Sequence, residues 1–274
     1  MLDILKLLRV QQWYKNLVIY LALFFTKNLL NPELFLKTTL GFISLCFISS
    51  SYYIINDIFD IDADRQHPEK KKRPIARGRI SIKVGLIISG LLILASLSIA
   101  HIISMKFVLF PIALLVAMML YNLGFKDIAI IDIHFIALNF LIRAVSGAFL
   151  IDVYTSPWLI TTVFFMALFL AIGKRKADLN MLNKDAIKHK KAYQVYNEKL
   201  LNMMVIVITG VLLFTYTMYT FFAHEKPYPY MMLTIPIASF MVFRYLYFIS
   251  TNHEIARKTH HVFFDKQMLA GFLL

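Results

Sequence analysis

Long apolar runs separated by short polar breaks make up most of the chain. A helix needs about 20 apolar residues to cross the hydrocarbon core of a bilayer, and most of the runs approach or exceed that length. Helices are expected because lipid offers backbone amides no hydrogen-bond partner outside their own segment. The pattern predicts nine spans, at about residues 10–30, 34–58, 82–102, 106–123, 128–151, 157–173, 198–222, 230–250 and 263 onward. The ninth run is too short to cross a bilayer by itself.

The composition assigns the protein to the integral membrane class. Of its 274 residues, 59% are hydrophobic and 16% are charged, whereas roughly 25% are charged in an ordinary soluble domain. A soluble domain of this length cannot bury so much apolar material, so we predict one all-α transmembrane domain over residues 1–274. Its cytoplasmic loops are expected at about residues 59–81, 122–128, 174–198 and 251–262. The single cysteine, Cys46, excludes an internal disulfide and a CxxC motif.

Positive charge is concentrated in two of these loops. Lys and Arg total 29 against 16 Asp and Glu, which gives a net charge of +13. In a soluble protein this excess would suggest a nucleic-acid partner, but sixteen of the basic residues fall in the loops between spans two and three and between spans six and seven, or within two residues of those loops. Cytoplasmic loops of membrane proteins carry such an excess. We therefore predict a multi-pass protein of the cell membrane with a cytoplasmic N-terminus, and no nucleic-acid partner.

An acidic motif lies at the end of the second predicted span. Asp57, Asp60 and Asp64 fall at i, i+3 and i+7, so on a continuous helix they would share one face. Like charges at this spacing repel, and carboxylates near a bilayer are costly unless they are compensated. A divalent cation would compensate them, and an all-oxygen ligand set suits Mg²⁺. The alternative is an acidic helix end that is solvated by water and paired with the lysines that follow.

A basic loop follows the acidic motif directly. The six cations from Lys70 to Arg79 outnumber the four acids from Asp57 to Asp64, so the surplus is available to anions. Arg binds phosphate through two parallel hydrogen bonds and Lys acts as a point charge, so Lys70, Arg73 and Arg77 are candidate diphosphate ligands. The alternative, that the loop serves topology alone, applies most strongly to Lys71 and Lys72.

A second cytoplasmic loop carries few polar groups, and we place them at the same membrane face as the first motif. Tyr121 precedes it, and Lys126, Asp127 and Asp132 are candidates to complete the diphosphate and metal site. Further candidate substrate ligands are Lys15 and Asn16 at the start of span one, Asn139 and Arg143 inside span five, and Lys174 and Arg175 at the end of span six.

Each of these further candidates also has a simpler explanation. An intramembrane Arg such as Arg143 indicates a functional site by default, but it can also snorkel or pair with an acid at a helix end. Residues beside Trp13 and Tyr14 can belong to an interfacial aromatic belt. Lys174 and Arg175 can serve as topology signals alone.

The motifs together resemble a known family over nearly the whole chain. The segment Asn56–Asp64 followed by Arg73–Gly78, with a second charged loop two spans later, resembles the UbiA superfamily of intramembrane prenyltransferases. Four segments look like its decaprenyl-phosphate phosphoribosyltransferase branch. They are Arg9-x-x-Gln12-Trp13-x-Lys15-Asn16, His67-Pro68-x-Lys70-x-x-Arg73-Pro74, Tyr121 to Lys126, and Lys174-Arg175-x-x-Asp178.

The resemblance implies a fold, a cofactor and a reaction. It implies about nine helices around a central cavity, and transfer of the ribose 5-phosphate of phosphoribosyl diphosphate (PRPP) to a polyprenyl phosphate, with release of diphosphate. It also implies diphosphate contacts from Lys70, Arg73 and Lys126, with a catalytic role for Lys126. The metal ligands that it implies for Mg²⁺ are Asn56, Asp57, Asp60 and Asp64.

One departure from the wider superfamily bears on the substrate. Typical members have a second Asp-x-x-x-Asp motif, whereas Asp127 and Asp132 are five residues apart and follow Lys126. This difference puts a second, fully acidic metal site in doubt and favours the phosphoribosyl branch.

Two other functions remain open at this level. An aromatic prenyltransferase would use the same site for a polyprenyl diphosphate and add the prenyl group to a 4-hydroxybenzoate-type acceptor, although the basic surplus argues mildly against it. An organic-anion transporter would line its path with Arg143 and Arg244. Transporters commonly carry inverted repeats, and the sequence has no visible internal symmetry.

Overall fold

A computed structural model describes residues 2–66, 70–182, 191–222, 229–251, 254–257 and 259–273. All regular elements in these ranges are helices. The α-helices are α1 (Leu2–Leu8), α2 (Leu21–Phe25), α3 (Pro32–Phe59), α4 (Ile61–Gln66), α5 (Ile82–Ile103), α6 (Leu109–Asn122), α7 (Ile131–Leu150), α8 (Pro157–Leu182), α9 (Glu198–Phe222), α10 (Thr234–Ser250), α11 (Glu254–Arg257) and α12 (Lys266–Leu273). Short 3₁₀ helices connect several of them, at Val10–Tyr20, Lys70–Lys72, Met105–Val108, Phe125–Asp127, Lys191–Gln194, Pro229–Leu233 and Thr259–Phe264.

The described ranges contain seven helices that are long and apolar enough to cross a membrane. The protein is therefore a multi-pass, all-helical membrane protein, as the hydropathy pattern predicted. The spans are Pro32–Phe59, Ile82–Ile103, Met105–Asn122, Ile131–Leu150, Pro157–Asn180, Glu198–Phe222 and Tyr230–Ser250. They match the second to the eighth predicted runs closely except at the end of the sixth, because an apolar run of about 20 residues and its charged flanks fix a span locally.

The predicted count of nine is not confirmed. The first run is divided into the 3₁₀ helix Val10–Tyr20 and the short helix α2. At roughly 2.0 Å per residue in a 3₁₀ helix and 1.5 Å in an α-helix, these two segments extend about 30 Å, close to the thickness of the hydrocarbon core. The ninth run forms the eight-residue helix α12, which is too short to be counted as a span.

Two predictions about the extent of helices are wrong. The sixth span does not end at residue 173, because α8 continues to Leu182 and carries Lys174, Arg175 and Asp178 on a helix rather than in a loop. Ala177 and Arg175 are both buried, so the face of α8 that packs against other helices extends beyond the apolar run. The acidic motif is not on one continuous helix either, because α3 ends at Phe59 and α4 begins at Ile61.

The chain divides into two compact units. The first comprises Met1–Leu123 and Ile142–Tyr154, and the second comprises Gly124–Leu141 and Thr155–Leu274. The predicted single transmembrane domain stays a prediction.

The first unit is packed around α3 and α5, through small polar residues. Ser44 and Ser96 exchange hydrogen bonds with each other's backbone carbonyl at 2.9 and 2.8 Å, and Ser51 and Ser89 hydroxyls lie 2.8 Å apart. Serine lets two helices approach closely and bond within lipid, where helices have no hydrophobic driving force to associate. This packing fixes the end of α3, where the acidic motif lies.

The second unit has an apolar core between α8, α9 and α10. Phe169 of α8 packs on Tyr245 of α10 with ring centroids 5.4 Å apart, and Leu201 of α9 is fully buried in the same cluster. Beyond the apolar part of this core, α8 brings Arg175 to the first turn of α7.

Candidate active site

The first polar site lies where α3 ends. The backbone N–H of Asp60 donates to the carbonyl of Asn56, and Asn56 Nδ2 donates to Asp60 Oδ2 at 2.9 Å. This local turn separates Asp57, which is on α3, from Asp64, which is on α4. The break therefore replaces the straight acidic face expected from the spacing with a bend that carries the same carboxylates.

Two arginines from distant parts of the chain pair with these carboxylates. Arg9 donates to Asp57, and Arg73 lies 3.1 Å from Asp57 Oδ1 and 2.5 Å from Asp64 Oδ2. The Arg9 guanidinium also stacks over the Tyr53 ring, 4.7 Å from its centroid. The carboxylates of Asp57 and Asp64 are 2% and 1% exposed, so bound cations are needed to offset the cost of burying their charge.

The basic loop separates into buried and exposed members. Lys70 is partly buried, and its pKa is lowered, first by burial and then by the neighbouring Arg73. Lys71, Lys72 and Arg77 are exposed on the surface of the loop. Lys70 and Arg73 are thus the members of this loop that lie among the carboxylates, whereas His67 and Pro68 lie outside the described residues.

The oxygen atoms available at this site fit the ligand preferences of Mg²⁺ in part. Within the described ranges, no three acidic, histidine or cysteine side chains are gathered closely enough to form a complete protein cage for a metal ion. Asp64 Oδ1 is buried and has no hydrogen-bond partner among the described residues. Because Mg²⁺ usually takes one or two carboxylates and completes its shell with water and substrate phosphate, this oxygen and Asp60 suit a metal that arrives with a phosphate.

A buried arginine lies deeper in the same unit. Arg143 on α7 is 3% exposed, and its Nε donates to Asn16 Oδ1 at 2.6 Å. Asn16 Nδ2 in turn donates to Cys46 Sγ at 3.2 Å. Two of the candidate substrate ligands, Asn16 and Arg143, are thus joined across 127 positions of the chain. Asn139 Nδ2 donates to the carbonyl of Phe135 at 2.7 Å, one turn back along α7.

The second unit contains a separate polar cluster around Asp132. Asp132 is fully buried and accepts hydrogen bonds from Arg175 Nε at 2.9 Å and from the Tyr196 hydroxyl at 2.6 Å. Tyr196 also accepts from the backbone N–H of Ile130 at 2.7 Å. Burial, with the bond to Asp132, raises the pKa of Tyr196, so its hydroxyl remains a donor.

Sequence reasoning missed Tyr196 and its neighbour Tyr193. The Tyr193 hydroxyl donates to Asp178 Oδ2 at 3.0 Å, and the two tyrosine rings meet edge to face. Their three-residue spacing within a basic segment was the available signal. Arg175 was predicted to bind phosphate, and in the structure it pairs with the buried carboxylate of Asp132 at 2.9 Å.

The remaining candidates occupy more open positions. Lys126 and Asp127 are partly buried in the 3₁₀ helix Phe125–Asp127 of the second unit, and Lys174 is exposed on α8. Tyr121 and Lys15 are partly buried in the first unit. Arg244, which a transporter would place in its path, is paired with Asp265 at 2.8 Å.

These features define a polytopic membrane protein whose buried carboxylates and arginines adjoin a basic loop, a combination suited to phosphorylated substrates. The sequence profile of the UbiA prenyltransferase family matches residues 17–265, so the chain belongs to that family and is a transferase. The family resemblance drawn from the motifs is thereby confirmed.

Two curated relatives and one solved structure illustrate the similarity. The decaprenyl-phosphate phosphoribosyltransferase of Mycolicibacterium smegmatis is 30% identical over 222 residues, which are 80% of this chain and 70% of that protein. The protein of the same name from Mycobacterium tuberculosis is 26% identical over 80% of this chain and 74% of its own length. The structure of a UbiA homolog from Archaeoglobus fulgidus, bound to DMAPP and Mg²⁺, matches with a TM-score of 0.71 over 98% of this chain and 97% of that chain, at 18% identity. This last similarity concerns the fold.

Proposed function

We propose that the chain transfers the 5-phosphoribosyl group of PRPP to a decaprenyl-type polyprenyl phosphate, giving polyprenylphosphoryl-5-phosphoribose and diphosphate. The observation that carries the choice of reaction is the similarity to two proteins named decaprenyl-phosphate phosphoribosyltransferase, which extends over 80% of this chain. The site in the first unit supports it, because buried carboxylates and arginines lie beside Lys70.

The donor diphosphate is held by charge. Arg73 is fixed between Asp57 and Asp64, and its side chain is 22% exposed, so part of it remains accessible to a phosphate. Lys70 supplies a point charge beside it. In this proposal Asn56, Asp57, Asp60 and Asp64 would hold Mg²⁺, and the ion would supply Lewis-acid stabilisation to the diphosphate.

Bond cleavage is an ionising displacement at C1 of the ribose. The C1–oxygen bond to the diphosphate breaks as a phosphate oxygen of the acceptor forms the new bond to C1. Negative charge grows on the diphosphate in the transition state, so Arg73 and Lys70 act where that charge develops. Lys126 is assigned to the diphosphate by the family resemblance alone. The acceptor oxygen is already anionic and needs little help from a general base. The main task of the site is to bring two anions together against their repulsion.

The membrane supplies the acceptor. A polyprenyl chain dissolves in the bilayer core, so its phosphate meets a donor that comes from the aqueous phase at the membrane surface. The basic excess in the loop that contains Lys70 and Arg73 supports a cytoplasmic location for this face and for the N-terminus. PRPP would then be taken from the cytoplasm.

A membrane assay with two donor arms tests the proposal. The first arm contains PRPP labelled in the ribose and decaprenyl phosphate, with and without Mg²⁺. The second contains a polyprenyl diphosphate and 4-hydroxybenzoate, because the Archaeoglobus relative is bound to a prenyl diphosphate. We expect Mg²⁺-dependent label in the lipid fraction from the first arm. Product from the second arm alone would replace the proposal with aromatic prenyl transfer.

A further inference from the structure

The residue before α7 has an unfavourable backbone conformation. Ile130 has φ +71°, in the left-handed region that β-branched side chains avoid. The other non-glycine residues with positive φ in the described ranges, Arg9, Lys27 and Asp152, are not β-branched. Gly78 and Gly124 also have positive φ, and for glycine the conformation carries no steric cost. A strained residue of this kind persists only where its surroundings hold it.

The side chain of Ile130 explains why glycine does not occupy the position. It lines an apolar pocket of about 440 Å³ together with Ile131, His134, Phe135, Leu138 and Phe164. The backbone of Ile130 is therefore strained while its side chain completes an apolar wall. Something else must hold the backbone in place.

The Ile130 carbonyl accepts from the backbone N–H of His134 at 3.2 Å and lies 2.8 Å from His134 Nδ1, one turn along α7. The hydroxyl of Tyr196 holds the Ile130 N–H from a distant segment. It accepts the Ile130 N–H at 2.7 Å and donates to Asp132 Oδ1 at 2.6 Å, so one hydroxyl ties the strained residue to the first turn of α7. Arg175 occupies the other oxygen of Asp132 at 2.9 Å. The Asp132 carboxylate is thus fixed on both sides, and Tyr196 cannot shift without leaving one of its bonds unmade.

The strained residue follows directly after the loop that carries Lys126. The 3₁₀ helix Phe125–Asp127 ends three residues before Ile130, and it packs against the 3₁₀ helix Lys191–Gln194, which precedes Tyr196. A change of φ at Ile130 would swing the whole Phe125–Asp127 segment relative to α7, because rotation about one backbone bond moves everything on one side of it.

We propose that Tyr196 is a positioning residue for donor binding: its hydroxyl holds Ile130 in the left-handed conformation and thereby fixes the place of Lys126. This inference rests on the proposed function, because the proposed function assigns Lys126 to the donor diphosphate. Tyr196 itself touches neither substrate. Its contribution is to keep the Lys126 loop in one arrangement, so that binding PRPP does not have to order it.

Three variants and one matched control test the proposal. Tyr196→Phe removes the hydroxyl, Ile130→Gly makes the left-handed conformation free of strain, and the double variant combines them. The control is Tyr193→Phe, which removes a neighbouring buried hydroxyl that bonds Asp178 instead of the turn.

The first measurement is amide hydrogen exchange at Ile130 in the purified protein, without substrate. We expect about tenfold faster exchange in Tyr196→Phe, the change expected for loss of one hydrogen bond, and unchanged exchange in Tyr193→Phe. Equal exchange in the wild type and Tyr196→Phe would overturn the proposal, whatever reaction the protein catalyses.

The second measurement is the steady-state KM for PRPP at saturating acceptor. We expect Tyr196→Phe to raise this KM about tenfold with a smaller change in kcat, and Ile130→Gly in the same background to recover most of the loss. A purely structural role would lower the amount of active enzyme and leave KM unchanged. A double variant with the same KM as Tyr196→Phe would show that Tyr196 does not act through Ile130. If the wild type uses no PRPP, the proposed function is refuted. Hydrogen exchange would then still decide the role of Tyr196.

Discussion

Arg9 and Asp57 form a direct ion pair although they are 48 residues apart in the chain. The pair ties the segment before the first 3₁₀ helix to the last turn of α3, where the acidic motif begins. Arg9 has a positive φ of 49°, and its guanidinium also stacks on Tyr53. The charge of Asp57 is thereby compensated by a cation that lies outside the basic loop that follows the acidic motif.

We expect Arg9→Gln to destabilise the protein. The substitution leaves the nearly buried Asp57 carboxylate with Arg73 alone, so the loss should be about 2 kcal/mol, less than the roughly 3–5 kcal/mol measured when a buried charge loses its only partner. Thermal unfolding in lipid nanodiscs would measure it. Adding Asp57→Asn to Arg9→Gln should recover part of the loss, because the unpaired charge is then gone.

The ion pair between Arg79 and Asp3 provides the matched control. It has a length of 3.2 Å, but the Arg79 side chain is 58% exposed. Exposed pairs contribute about 0–1 kcal/mol, so Arg79→Gln should leave the unfolding temperature almost unchanged. Equal losses for Arg9→Gln and Arg79→Gln would contradict the assignment of Arg9 as the counter-ion of Asp57.

Asp60→Asn should abolish most transfer without unfolding the protein. Asp60 is partly exposed at the break between α3 and α4, so its carboxylate remains accessible to a metal ion. Loss of a metal ligand should cost at least about 10²-fold in activity, since even partners that only orient ligands are worth 10–100-fold. Turnover of this variant with excess Mg²⁺ at the wild-type rate would refute the metal assignment.

Asp62→Asn is the control for this experiment. Asp62 lies two residues further along, but its side chain is 86% exposed and its contact with Arg65 is long, at 3.4 Å. We expect wild-type activity and an unchanged dependence on Mg²⁺. Activity and unfolding temperature should be measured on both variants, so that a loss of metal binding is distinguished from a loss of fold.

As the pH is raised, the KM for PRPP should begin to increase at a lower pH than it would if the pKa of Lys70 had the ordinary value of a lysine. Burial lowers the pKa of Lys70, and so do Arg73 and Arg9, while Asp64 and Asp60 act in the opposite direction. Because only the protonated ammonium attracts the diphosphate, donor binding is complete below the lowered pKa and weakens as the pH rises through it.

Replacement of Lys70 by Arg provides the comparison. A guanidinium remains charged throughout the alkaline range, so the variant should show a flatter alkaline rise in KM. The KM for PRPP should be measured between neutral pH and the alkaline limit of stability. Identical alkaline profiles in the wild type and Lys70→Arg would mean that Lys70 does not bind the donor.

Gly147→Ala should disrupt the first unit. A methyl group at Gly147 on α7 would overlap the backbone carbonyl of Ile19, and backbone atoms cannot move aside as a flexible side chain can. We expect a loss near the upper end of the 1–3 kcal/mol typical of overpacking, about 3 kcal/mol. Gly90→Ala on α5 meets no atom within 4 Å and should be neutral or slightly stabilising in the same thermal assay.

Local sequence patterns determined the class of the protein and most of its spans. Apolar runs of membrane length predicted the seven spans that the structure contains, because the bilayer imposes both length and polarity on each segment separately. The acidic motif, the basic loop and the family resemblance were also readable, since they depend on residue types at short spacing. The extension of α8 to Leu182 was not readable, because charged residues can continue a helix when tertiary partners receive them. The break between α3 and α4 inside the acidic motif was not readable either.

The partners of the charged residues were decided by tertiary structure alone. The pairs Arg9–Asp57, Tyr196–Asp132 and Arg143–Asn16 join residues that are 48, 64 and 127 positions apart. Periodicity places a side chain on a face of its own helix, but it carries no information about which distant segment packs there. These partners matter for stability because the groups are buried. A buried charge or hydroxyl without a partner costs far more free energy than an exposed charge or hydroxyl without a partner.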